Sequence, residues 1–176
     1  MDPYKCRPAY ETEQFLLRLV APEDTEDLWR CYSNPDAIRL FNSDNCTYGF
    51  GGLDLTIEEM RGCIDSWIKA YCARDFVRFA VVAKDTGRAV GTVEIFASKH
   101  GILRIDVLPE YENQAALTAL LVLADNFFEA FQCTEIVTKA IPAAAERLAS
   151  LEQCGYRPYP WRKAWQRKDY YIKRKT

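Results

Sequence analysis

The apolar positions change their period along the chain, and each change marks the edge of an element. FLLRLVAPED alternates over Phe15 to Leu19 and then meets Pro22, Glu23 and Asp24. This predicts a strand followed by a helix, because proline fits a first helical turn and acidic groups suit its positive end. Leu28, Trp29 and Tyr32 supply the buried side of that helix; Asn34-Pro35 breaks it, and PDAIRLF predicts a second short helix. Asn42 to Leu53 reads as a polar, glycine-bearing loop of the kind that shapes binding sites. Thr56 and Glu59 then form a capping box, and Met60, Ile64, Trp67, Ile68 and Tyr71 recur at helical spacing. From Phe79 the period falls to two. Three strands follow, divided by the turn signals Asp85-Thr86-Gly87 and Lys99-His100-Gly101, the last strand ending at Pro109. A long apolar helix from Gln114 to Phe131, the strand TEIVTKA, the helix PAAAERLASLEQC capped by Gly155, and two final strands complete the pattern. The expected class is a mixed α/β fold: an antiparallel sheet early, a strand–helix–strand crossover late, six to seven strands in all, with helices on both faces.

Composition narrows the functional classes. A chain of 176 residues with half its residues apolar can bury a proper core, and one domain over 1–176 is the simplest organisation. The net charge of −2 argues against a general nucleic-acid binder, although Arg157 to Lys175 is rich in Lys and Arg and reads as a solvated basic edge strand. No apolar run is long enough to span a bilayer. Seven cysteines, none in a C-x-x-C pair, suit reduced thiols in a cytoplasmic protein and give no metal-site spacing. They read as small buried hydrophobes, and His100, alone in a turn, as an exposed side chain.

Three stretches carry a resemblance to a known family. LRLVAPEDTEDLW, FAVVAKDTGRAVGTVEIF with Gly91, and IDVLPEYENQAALTALL followed by AAAERLASLEQCGYRP are similar to the Gcn5-related N-acetyltransferase (GNAT) superfamily, in order and in texture. The resemblance covers almost the whole chain. It implies the GNAT fold and transfer of an acyl group, by default acetyl from acetyl-CoA, to a primary amine by direct attack. The implied partners are a small-molecule or peptide amine and the acyl-CoA co-substrate, with no metal, no nucleic acid and no membrane; a homodimer is left open. The rival implication is a GNAT-fold ligand-binding or interaction module that has lost catalysis.

The family's acyl-CoA motif is altered here. Val107, Pro109 and Tyr111 match its strand end, but Glu112 stands where Arg or Gln is expected, Ala115 replaces a glycine and Leu117 a small residue. Helix N-termini hold phosphates through unpaired N–H groups. A carboxylate about 5 Å from a pyrophosphate repels it by roughly 3 kcal/mol per unit charge at an effective dielectric near 20. Unrelieved, that weakens binding about a hundredfold; outward rotation of Glu112, or a Lys or Arg partner, would remove most of the penalty. By resemblance, the backbone of Val107 and Leu108 polarises the thioester, and Glu112, Asn113, Gln114, Ala115, Ala116 and Leu117 form the phosphate turn. Glu94 and Asp106 are the candidate bases, and strand alternation also allows Glu94 to be an ordinary solvent-facing residue. Ala144 and Leu151 occupy the family's later Asn-like and Tyr-like positions and can do no acid chemistry; Tyr156 reads as core.

Overall fold

A computed structural model describes residues 2–41, 54–97, 100–160 and 168–175. The expected acceptor loop, Asn42 to Leu53, lies outside them, as does Lys99 of the second turn signal. The chain begins with β1 (Tyr10–Glu11) and β2 (Phe15–Leu19), then α1 (Thr25–Tyr32), α2 (Pro35–Ile38) and α3 (Ile57–Ala73). Next come β3 (Val77–Ala83), β4 (Ala89–Ala97) and β5 (Gly101–Val107). The second half is α4 (Gln114–Leu123), α5 (Phe127–Ala130), β6 (Glu135–Lys139), α6 (Ala145–Gln153), β7 (Arg157–Pro158) and β8 (Tyr170–Arg174).

The local signals explain most of these bounds. The Asn34 side chain accepts from the backbone of Asp36 and Ala37 and starts α2. Thr56 and Glu59 cap each other reciprocally at the start of α3. Gly87 and Gly155 take positive φ, at the turn after β3 and after α6.

The described residues form one sheet of eight strands in the order β1-β2-β3-β4-β5-β6-β8-β7, one or two more than the pattern predicts. Only β5 and β6 pair in parallel, the consequence of the α4–α5 crossover. One face packs Phe79, Val81, Val93, Ile105 and Val107 against Leu117, Leu120 and Phe127. The other lies under α1 and α3, with Leu28, Tyr32, Met60, Ile64 and Trp67 over Ala80 and Val82. No helix among the described residues is long and apolar enough to cross a membrane.

Four expectations are corrected. The helix expected from Gln114 to Phe131 is broken by a 3₁₀ turn over Ala124–Asn126. There Asn126 Nδ2 donates to the Leu123 carbonyl, a side chain competing for a helical acceptor, and the bend lets Phe127 pack on Phe79. The basic C-terminal run is an edge only in part: Arg157 sits on β7, the exposed last strand of the sheet, but β8 lies between β6 and β7 with Tyr170 and Ile172 buried, and Arg162, Lys163 and Arg167 lie outside the described residues. His100 is partly buried, its Nδ1 2.7 Å from Glu135 Oε2. Of the cysteines, Cys31 and Cys133 are buried as expected, whereas Cys6 and Cys72 are exposed.

Candidate active site

The site is built where β5 and β6 part. They pair only at Gly101–Ile136 and Ile102–Val137, so β5 has no β6 partner from Leu103 onward. On its other side β5 remains paired with β4 through Gly91–Val107. Leu108 N–H donates to the Val90 carbonyl at 2.9 Å. Antiparallel alternation then makes Gly91–Val107 a non-hydrogen-bonded pair, so the polar backbone groups of Val107 and Ile105 face the open edge. The close approach there depends on Gly91: a Cβ would lie 2.1 Å from the Asp106 carbonyl oxygen and 2.7 Å from Val107 Cα. Of the two backbone amides that the sequence nominates, Leu108 is thus bonded within the sheet, and Val107 is the one that faces the gap.

The turn after β5 leads into the α4 N-terminus. Its first helical amides belong to Gln114, Ala115 and Ala116. Asn113 caps the helix, its Oδ1 accepting from Ala116 N–H at 3.0 Å. Gln114 N–H donates to Glu146 Oε2 at 3.1 Å, a carboxylate from the first turn of α6. Leu117 turns into the core at 1% exposure, so its bulk does not stand in the turn. Ala115 is exposed.

Glu112 is paired. Arg147 of α6 donates to both its oxygens, Nε to Oε1 at 2.7 Å and Nη2 to Oε2 at 2.6 Å, while Nη1 donates to the Ile105 carbonyl at 2.8 Å. The two side chains are 8% and 6% exposed. One bidentate guanidinium thereby neutralises the charge at the turn and satisfies a carbonyl on the open β5 edge. This is the arginine partner that relieves the repulsion expected of Glu112.

The candidate bases lie on the face under α1 and α3. Glu94 is buried, not solvent-facing, and forms an ion pair with Arg78 on the neighbouring strand. Alternation does place it opposite Val93 and Ile95, but that face is covered by helices. Asp106 is fully buried; its Oδ2 accepts from Arg104 Nε and from Tyr32 OH, the latter at 2.9 Å. Tyr32 OH also lies 2.7 Å from Thr92 Oγ1 and accepts from Arg78 Nη1 at 2.8 Å. Burial, reinforced by the Asp106 charge, holds the Tyr32 hydroxyl well above the ordinary tyrosine range. Arg78 stacks its guanidinium 4.1 Å over the Trp67 ring. Asp106 Oδ1 and Arg78 Nε are buried without a hydrogen-bond partner among the described residues.

The sequence matches the acetyltransferase (GNAT) domain family over residues 14–157. The chain belongs to the GNAT family. It is 25% identical over 108 residues to the uncharacterized N-acetyltransferase YoaA of Bacillus subtilis (strain 168), a match covering 59% of this chain and 56% of that protein. The fold is that of RimJ of Mycobacterium smegmatis, solved in complex with CoA-disulfide, at a TM-score of 0.75 and 15% identity, covering 98% of this chain and 88% of that one. It is also that of a ribosomal-protein-S5-alanine acetyltransferase from Vibrio fischeri, at a TM-score of 0.72 and 18% identity, covering 95% and 96%.

Within this GNAT frame the later positions fall as the sequence indicates. Ala144 is the N-cap residue of α6 and makes no side-chain cap bond, Leu151 is buried at 1% exposure, and Tyr156 is core. Sequence reasoning missed Glu146, Arg147, Arg78, Arg104 and Tyr32. Glu146 and Arg147 sit on an α6 whose alanine-rich start draws attention away from them. The only available signal for Arg147 was an electrostatic requirement: a buried Glu112 needs a cation. Arg78 stands alone among apolar strand neighbours and Arg104 has Asp106 two residues on; cross-strand register with Glu94 is what joins the two arginines.

Proposed function

We propose that the chain is an N-acyltransferase that moves an acetyl group from acetyl-CoA to a primary amine. The observation that carries this reading is the Val107 backbone, turned toward an open strand edge beside an α4 N-terminus at which Arg147 neutralises Glu112. When bound, acetyl-CoA supplies an activated thioester. Val107 N–H faces the place where a thioester carbonyl would be polarised by a backbone donor. The first turn of α4, Gln114 to Ala116, would hold the phosphates.

Of the two carboxylates, Asp106 is the better candidate base. Both are engaged by an arginine, Asp106 by Arg104 and Glu94 by Arg78, but Asp106, though fully buried, keeps its Oδ1 without a hydrogen-bond partner among the described residues. Tyr32 and Arg104 would orient Asp106 through its other oxygen. The sequence relative named as an N-acetyltransferase supports the same reaction class.

A second reading, a GNAT-fold protein that binds ligands or partners without catalysis, is favoured by one observation: Glu146 already takes the Gln114 amide. Calorimetric titration with acetyl-CoA, using wild type and Glu112→Gln, tests the donor site that the enzyme reading requires, and release of free CoA thiol on adding an amine separates it from binding without catalysis. The enzyme reading expects wild type to bind at submillimolar concentration. Silence from both proteins up to millimolar ligand would remove it, and binding gained only by the variant would point to loss of function through charge.

A further inference from the structure

We infer that Glu146 sets the class of acyl donor, by holding the α4 amide that a diphosphate would use, so that the site takes a thioester on an uncharged pantetheine arm as readily as one on CoA. The inference rests on the donor site proposed above. Recognition at this site divides into two parts of different chemistry. The β5 edge carries no net charge: it offers the backbone of Val107, with the mutually cancelling Arg147–Glu112 pair bonded at the Ile105 carbonyl, beside a short parallel pairing that ends at Ile102 and Val137. Nothing in that part distinguishes a phosphorylated arm from an unphosphorylated one.

The α4 N-terminus is the part that would read the phosphates, and it is filled from within. Two of its three leading amides are bonded to oxygens of the chain itself, Gln114 to Glu146 and Ala116 to Asn113. Glu146 brings a full negative charge to the positive end of the helix, the interaction a phosphate would otherwise make. The cation that touches the turn, Arg147, is turned to Glu112 and to the Ile105 carbonyl. With Glu112 and Arg147 cancelling, Glu146 leaves the turn with a net negative charge. A diphosphate therefore has to displace Glu146 and then share the turn with it, while a neutral arm meets neither obstacle. Glu146 is exposed, so it can be removed without opening the core.

The test is calorimetric binding of CoA and of pantetheine to wild type and Glu146→Ala, with circular dichroism to verify that both are folded. Wild type is expected to bind the two probes within about threefold of each other. In Glu146→Ala, CoA binding should tighten about tenfold, as removing one charge-assisted competitor predicts, with pantetheine unchanged. Wild type preferring CoA by tenfold or more overturns the inference, and so does a variant that shifts both probes equally. If CoA binds but is indifferent to Glu146, the inference falls and the proposed donor stands. If neither probe binds to either protein, both fall together.

Discussion

Replacing Arg147 with methionine is expected to destabilise the protein by about 3 to 5 kcal/mol, because it strands a buried carboxylate. Glu112 would keep its 8% exposure and lose both guanidinium hydrogen bonds, and the Ile105 carbonyl would lose its donor. Methionine retains much of the volume, so the loss reports charge and hydrogen bonding more than a cavity. The double variant Glu112→Gln/Arg147→Met removes the stranded charge and should recover more than half of the stability. Urea unfolding of wild type, Glu112→Gln, Arg147→Met and the double variant gives the coupling directly. If the single variant loses less than about 1 kcal/mol, the pair is a surface contact and not the keystone of the turn.

The second large effect is expected at Gly91. Gly91→Ala places a methyl group 2.1 Å from the Asp106 carbonyl oxygen, and backbone cannot swing aside as a side chain can. β4 and β5 would have to separate at the strand end that carries Asp106, Val107 and the Leu108–Val90 bond. The expected loss is about 3 kcal/mol or more, at the upper end of overpacking penalties. Gly87→Ala is the control: nothing lies within 4 Å of its Cβ, so only its positive φ counts and the cost should be about 1 kcal/mol. Thermal denaturation of the two variants side by side checks the contrast, which disappears if Gly91 is simply a flexible residue.

The order of elements was legible because period and caps are local. Thr56 with Glu59, Asn34-Pro35 and Gly155 mark boundaries through groups within a few residues of each other, and the structure keeps those boundaries. What was not legible is what depends on partners distant in sequence. Glu94 has the alternation of a half-exposed strand, and only its register with Arg78 and the cover of α1 and α3 reveal a buried pair. The position of β8 inside the sheet is likewise a matter of pairing with β6, which its basic composition does not disclose. Glu112 lies between the two cases. Its charge marks the turn as abnormal in sequence alone, but the residue that resolves the abnormality is 35 positions away.

The account turns on whether an acyl donor lies along the open β5 edge with the Val107 amide directed at it. Amide-resolved NMR of the labelled protein, titrated with acetyl-CoA, tests this directly. The expected result is that the largest saturable shifts fall on Val107 and on Gln114 to Ala116, with Leu108, bonded to Val90, moving less. Saturable shifts confined to other residues, or none at millimolar acetyl-CoA, would contradict it.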